Sequence, residues 1–259
     1  MKNKINLSTF FSFLFILLTV QKSNAAITDT NYVIVLQQLL YAVRTGESSE
    51  AFIKLLKDAG NRNLQQQLQS DEVKKAFWLN IYNAFVQKLL SENPEKYKSR
   101  HIFFSDKQIV IAHHKLSLDD IEHGILRRSK IKWSMGYLNN PLPGKFEKDF
   151  RVNTPDKRIH FALNCGAKSC PPIAYYDPEK IDVQLNLATR IYLKNEAEYD
   201  TTLNIIYLPK IMDWFRGDFG GKKGIKKMLD EYGLIKKDVT IRFKKYDWSL
   251  FLNNYRKEN

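Results

Sequence analysis

Apolar residues recur at helical spacing through the first third of the chain. Leu36, Leu39, Leu40 and Val43 stand at i, i+3, i+4 and i+7, and Phe52, Leu55, Leu56 and Ala59 repeat the pattern. Gly46 and Gly60 follow as stops. Asn61 to Gln69 is rich in glutamine and reads as a weakly packed connector. Ser70 then caps a helix that runs to about Ser91, short of Pro94. Phe77, Trp78, Leu79, Ile81, Tyr82, Ala84, Phe85, Val86, Leu89 and Leu90 cover nearly its whole circumference. A helix apolar all round is a buried one. Its exceptions, Asn80, Asn83 and Gln87, share one narrow stripe at i, i+3 and i+7.

Further on the period shortens. Ile102 to Phe104 and Gln108 to Ala112 read as a hairpin around Ser105-Asp106-Lys107. Ser117 and Asp120 form the two ends of a capping box, with Leu118, Ile121 and Ile125 as the apolar face behind it. Residues 129–157, with Pro141, Pro143 and Gly144, read as an ordered loop. Arg158 to Leu163 alternates as a strand that puts Arg158 and His160 on one side. A loop from Asn164 to Tyr176 follows. Asp177-Pro178-Glu179 opens a helix with Ile181, Leu185, Ala188 and Tyr192 as its face. Leu203 to Leu208 and Val239 to Phe243 read as strands, separated by a helix with Ile225, Met228, Leu229 and Tyr232 that stops at Gly233. The pattern predicts an α+β fold: a helix-rich single domain with a small, mostly antiparallel sheet around a buried central helix.

Composition narrows the class. The 259 residues are 44 % hydrophobic and 27 % charged, the balance of a globular chain with a real core. Lys2 and Lys4, the apolar run Phe10 to Val20, and Ser23-Asn24-Ala25 form a secretory signal pattern with cleavage after Ala25. The 11-residue run is about half a membrane span, so no transmembrane segment is expected after cleavage. The divisions expected are a signal peptide over 1–25, a helical extension over 26–69, the main domain over 70–250 and a tail over 251–259. Lys2, Lys4 and Lys22 leave with the signal and no acid does, so the formal charge falls from +13 to +10. Export, to the periplasm or outside the cell, removes nucleic acid as a partner. The partners left for Lys222, Lys223, Lys226, Lys227, Lys236, Lys237, Lys244 and Lys245 are an anionic envelope polymer or a lipid surface. Their simpler reading is a solvated face.

Four segments together resemble the domain of unknown function 547 family: FWLNIYNA (Phe77 to Ala84), HHKLSLDDIEHGIL (His113 to Leu126), RIHFALNCGAKSCPPI (Arg158 to Ile173) and Asp213-Trp214-Phe215 to Asp218-Phe219. The likeness spans about residues 70–250. Membership implies a fold and a set of characteristic residues without an agreed reaction. The order of a polar-striped helix before His160 also loosely resembles papain-like and transglutaminase-like folds, in which the helix carries the cysteine. Here its nearest polar residue is Asn80.

The chemistry available centres on Cys165 and Cys170, the chain's two cysteines. Three states are open to them: a disulfide, as export favours; a free nucleophile; or metal ligands. As a nucleophile, Cys165 would take a proton-accepting partner in His160, with Asn80 as orienter or oxyanion donor. Asn83, Arg158, Asn164, Ser169 and Cys170 would line the same pocket, at the handover from Arg158–Leu163 to the cysteine loop. His113, His114 and His123 lack the spacing of a structural zinc site, so no metal and no cofactor is expected. Asp119, Asp120 and Glu122 read first as acids of a helical first turn. Two functions remain: a thiol-dependent hydrolase or transferase on peptide- or amide-like envelope material, and a non-enzymatic envelope binding module with a Cys165–Cys170 disulfide.

Overall fold

Helix α4 (Asp71–Glu92) is the axle of the molecule. Ser70 Oγ accepts the Val73 N–H at its start, and Asp71 and Glu72 sit in the positive first turn. Phe77, Trp78, Ile81 and Phe85 are all buried along one side of the helix, and Leu79, Val86 and Leu90 are buried on the opposite side. The computed structural model describes residues 30–235 and 238–257. The expected signal segment, 1–25, lies outside the described residues, as do Lys236 and Lys237. From Asn31 onward the described residues form one unit.

Helix α1 (Tyr32–Thr45) packs on α4 through Leu36, Leu39 and Leu40. Asn31 caps it through Oδ1, and Gly46 ends it in the left-handed region at φ 75°. Helix α2 (Glu50–Lys57) follows. The stretch from Asn61, expected as a weak connector, is helix α3 (Asn61–Gln67). Gln66 faces outward and Gln67 donates to Asn63 and accepts the Tyr32 N–H, while Leu64 and Leu68 are buried. Two leucines at i and i+4 anchor one short face, too few to register as a period.

The expected hairpin shifts by several residues. Arg100–Ser105 is helix α5, and the paired strands are β1 (Ile109–Ile111) and β2 (His114–Leu116). Ala112 and His113 turn between them with φ of 48° and 64°. The turn is held because their N–H groups donate to Leu56 O and Lys57 O, carbonyls left open at the end of α2. The loop over 129–157 also contains helix α6 (Lys145–Phe150), which buries Phe150 against Trp78.

Arg158 to Leu163 is not a strand. Asp156 Oδ1 accepts the Arg158 N–H, Asp156 O accepts the Ile159 N–H, and the chain winds as a 3₁₀ turn over Lys157–Phe161. Ile159, His160 and Phe161 are all buried, which a half-buried strand would not do. In a 3₁₀ turn, i and i+3 share a side, so His160 pairs with Leu163 and not with Arg158.

Helix α7 (Ile181–Glu196) buries Ile181, Leu185, Ala188 and Tyr192. Beyond it, β3 (Glu198–Asp200) runs antiparallel to β4 (Ile205–Leu208), and β4 runs parallel to β5 (Thr240–Phe243). The parallel pair needs a long crossover, which helices α8 (Ile211–Trp214) and α9 (Gly221–Glu231) provide. Leu193, Ile206, Leu208, Met212, Ile225 and Met228 fill this second core. The fold is α+β and helix-rich, with two small sheets. Among the described residues no helix is long and apolar enough to cross a membrane.

Candidate functional site

The amide stripe of α4 holds loops in place. Asn80 forms a reciprocal pair with Tyr176, donating to its carbonyl at 2.8 Å and accepting its N–H at 2.9 Å. Asn83 does the same across a gap in the chain, donating to Ala162 O and accepting the Asn164 N–H. Gln87 donates to the Asn164 side chain and accepts the Asn253 N–H. Asn164 continues the network to Pro171 O and the Gly166 N–H. All four amides are buried. Each side chain replaces a main-chain partner that an irregular loop cannot supply for itself.

That network carries the cysteine loop. Cys165 and Cys170 are joined as a disulfide. The Tyr246 hydroxyl lies 3.2 Å from one sulfur and 3.1 Å from the other. Ser169 Oγ accepts the Asp247 N–H, and its carbonyl accepts the Tyr192 hydroxyl. Cys165 therefore presents no thiol, and Asn80 spends its amide on Tyr176.

Both sulfurs face a cleft of about 430 Å³. Trp133, Trp214, Phe215, Tyr246 and Trp248 give it an aromatic wall. Trp214 and Trp248 stack at 5.4 Å, and Tyr246 packs on both. The opposite wall comes from the turn after β2. There Ser117 and Asp120 cap each other reciprocally, and the helix then widens to π spacing over Asp120–Leu126. The Arg127 N–H accordingly reaches back five residues to Glu122 O. Glu122 and His123 project into the cleft with Asp119 beside them.

Beneath them lies a chain of polar contacts. Arg127, buried, donates through Nε to Asp218 Oδ2 at 2.6 Å and through Nη1 to His123 Nδ1 at 2.9 Å. His160 Nε2 lies 2.8 Å from Asp218 Oδ2. A guanidinium can only donate and a carboxylate can only accept. His123 Nδ1 is therefore an acceptor, and His160 carries its proton on Nε2. His160 Nδ1 is then a buried acceptor without a hydrogen-bond partner among the described residues. The His160 ring stacks on Phe215, with centroids 4.0 Å apart.

Burial lowers the His160 pKa and outweighs Asp218, so the imidazole stays neutral. Burial works to raise the Asp218 carboxyl, but hydrogen bonds from His160 and Arg127 prevail and hold it at about 2. Burial and the neighbouring Glu122 charge push Tyr82 well above the usual phenol range. Its hydroxyl keeps its proton and donates to Glu122 Oε2 at 3.2 Å.

Residues 65–193 match the family described as protein of unknown function, DUF547. The chain belongs to the DUF547 family. No curated protein and no solved structure matches it. The DUF547 match contributes Tyr82, Glu122, His123, His160 and both cysteines to the cleft. It ends before Trp214, Tyr246 and Trp248, which complete the cleft lining, and before Asp218, which holds His160 and Arg127 beneath it.

Of the residues named from the sequence, His160, Cys165 and Cys170 meet in the cleft of this DUF547 protein. Asn80, Asn83 and Asn164 lie in the network beneath the loop. Ser169 faces Asp247. Arg158 points elsewhere, to Asp156, Asp182 and Asn186. Of the three acids read as first-turn residues, Asp120 is a cap, whereas Asp119 and Glu122 line the cleft. Asp218, Arg127 and Tyr246 were not anticipated. Asp218 stands in the fourth family-like segment, a signal that pointed to the stretch without giving a role. Among the described residues no group of three or more His, Cys, Asp and Glu side chains could hold a metal ion. Three of the six described lysines at the lysine-rich end are paired: Lys226 with Asp238, Lys227 with Glu231, and Lys244 with Glu196 and Glu198.

Proposed function

We propose that the protein is an exported binding module of the cell envelope. It holds in its aromatic cleft a ligand with a ring-like or apolar body and a protonated amine. Glu122 carries this reading. Asp119 is matched by Lys132 at 2.7 Å and Asp218 by Arg127. Glu122 has the neutral Tyr82 hydroxyl and, at 3.9 Å, the His123 ring. A carboxylate without a cationic match among the described residues, set among tryptophan and tyrosine faces, attracts a cation both by charge and through the ring quadrupoles. The disulfide braces the floor of the cleft. It fits the oxidising compartment to which the signal pattern directs the chain.

The test uses tryptophan emission, since three of the four tryptophans line the cleft. Benzylamine should change it saturably, and benzyl alcohol, which lacks the charge, should not. Glu122→Gln should weaken benzylamine at least tenfold. Equal response to the two probes, or an unchanged affinity in the variant, would overturn the assignment.

A second reading rests on His160. A neutral imidazole oriented by a carboxylate, with its other nitrogen an unpaired acceptor, is the arrangement of a general base. It supports a hydrolase or transferase acting on amide-like envelope material. With the disulfide closed, the attacking group would be a water or a ligand hydroxyl and not Cys165. Turnover of amide substrates that His160→Gln abolishes would establish it.

A further inference from the structure

On the far side of α1 a second cleft, of about 670 Å³, lies between that helix, the segment Ile173–Tyr175 and the C-terminal tail. It shares no lining residue with the aromatic cleft. The tail is fixed there by two main-chain hydrogen bonds, Ile173 N–H to Asn254 O and Arg256 N–H to Ile173 O, each 2.7 Å. They set Tyr255 and Arg256 against α1. The Arg44 guanidinium lies over the Tyr255 ring, 5.2 Å from its centre.

Three donors are left over at this place, the Tyr175 hydroxyl and two from the tail. Arg256 Nη1 and the Tyr255 hydroxyl are both buried and have no hydrogen-bond partner among the described residues. Buried donors are nearly always paired, and an unpaired charged one is the costliest kind. The Arg256 guanidinium and the Tyr175 and Tyr255 phenols thus line a cleft in which Glu47 is the single carboxylate among the described residues. Gln184, whose amide is bonded to Asp177 N–H and Tyr175 O, only shapes the wall. Leu40 and Phe52 give the cleft an apolar side.

We infer that this cleft is a second binding site, which takes an organic oxyanion: a carboxylate or phosphate head on an apolar body. Arg256 and Tyr255 hold the head, while the apolar body rests on Leu40 and Phe52. A guanidinium fork matches either head bidentately. Burial raises the Tyr255 hydroxyl to about 12, so it remains a donor at neutral pH. The site goes beyond the amine-binding cleft and stands or falls separately from it.

Calorimetry on the mature chain tests it, with phenyl phosphate, benzoate and inorganic phosphate as probes and benzyl alcohol as the neutral control. At least one aromatic oxyanion should bind saturably at one per chain, and its preference over the other identifies the head. Inorganic phosphate should bind more weakly, for want of the apolar body. Arg256→Gln should weaken binding at least tenfold, whereas Glu122→Gln, in the other cleft, should leave it unchanged. Tyr255→Phe keeps the ring under Arg44 and the tail's main-chain bonds, and should weaken binding at least threefold; it decides the matter should Arg256→Gln fail to fold. No saturable binding of either aromatic oxyanion, equal binding of benzyl alcohol, or full affinity in a folded Arg256→Gln or Tyr255→Phe protein would overturn the inference.

Discussion

His160 and Asp218, 58 residues apart, meet at 2.8 Å on the same carboxyl oxygen that accepts Arg127 Nε at 2.6 Å. One carboxylate thus ties the turn before the cysteine loop, the π-widened helix and the stretch after α8 into a single unit. Asp218→Asn removes the charge and keeps the shape. It leaves the Arg127 guanidinium buried and unmatched, and breaking a buried pair from one side costs ~3–5 kcal/mol. Urea unfolding of this variant should show that loss. A change below about 1 kcal/mol, the range of surface substitutions, would mean that water already reaches Arg127.

The same pair sets the pH dependence of stability. His160 has its folded pKa depressed by burial. Its contribution is complete above the unfolded value of about 6.5 and is lost as pH falls below it, because the unfolded chain binds the proton more readily. Asp218 acts in a separate and more acidic window. Its folded value of about 2 against an ordinary 3.8 keeps its contribution intact above about pH 4 and loses it towards pH 2. Melting temperature against pH should therefore fall in two stages. His160→Gln should flatten the upper one. A wild-type curve that is level from pH 7 to 5 would contradict the buried neutral imidazole.

The disulfide makes a prediction of its own. Protein isolated from its own compartment and denatured without reductant should contain no titratable thiol. The bond closes a short loop, Cys165 to Cys170, so the chain-entropy model gives it only ~2 kcal/mol. Cys165→Ser/Cys170→Ser should lose about that much and still fold, because Asn83, Gln87 and Asn164 hold the loop independently. Two free thiols in the native protein would return Cys165 to the candidates for nucleophile.

What could be read in the sequence follows the length of each element. Helix α4 was legible because the stretch Ala76 to Leu90, interrupted only at Asn80, Asn83, Gln87 and Lys88, leaves one interpretation. Arg158 to Leu163 was not, because six alternating residues fit a strand and a buried 3₁₀ turn equally well. The deciding contact, Asp156 Oδ1 on the Arg158 N–H, is a side-chain effect outside the period. The site divides in the same way. His160 and the cysteines stand close in sequence and could be grouped. Asp218, Arg127 and Tyr246 come from separate segments, and only the fold brings them together. Asn80 and Asn83 were visible as polar exceptions, but whether they served a ligand or a loop depended on what lay opposite.

Asn83 tests that last distinction. Its side chain accepts the Asn164 N–H at 2.9 Å and donates to Ala162 O at 3.0 Å, all within the core. Asn83→Ala strands both main-chain groups, at roughly 1–3 kcal/mol each. A total loss of about 2–5 kcal/mol in chemical denaturation should follow, with benzylamine affinity in the fraction that folds within about twofold of wild type. Full stability with abolished ligand binding would instead place Asn83 in direct contact with the ligand.

Glycine at 136 is required by Asp218. Gly136 has φ of 89°, and a Cβ added there would come within 2.2 Å of Asp218 Oδ1 and 2.8 Å of its backbone nitrogen. Gly217, on the other side of the same contact, would strike the Gly136 carbonyl carbon at 2.6 Å. The two backbones approach this closely because the Gly217 N–H donates to Met135 O at 2.7 Å. Gly46 provides the control. Its φ of 75° is equally left-handed, yet nothing lies within 4 Å of its added Cβ. Backbone strain alone costs ~1–2 kcal/mol, so Gly46→Ala should lose about that and nothing more. Gly136→Ala carries the same strain and must also displace Asp218 from Arg127 and His160. Its loss should exceed that of Gly46→Ala by at least ~2 kcal/mol in parallel urea titrations, on the scale of a disrupted buried pair. In an Asp218→Asn background, where that pair is already broken, the excess should shrink, since coupled sites are not additive. Equal losses for the two glycines, or an excess undiminished in the double variant, would show that Asp218 does not depend on the bare backbone at 136.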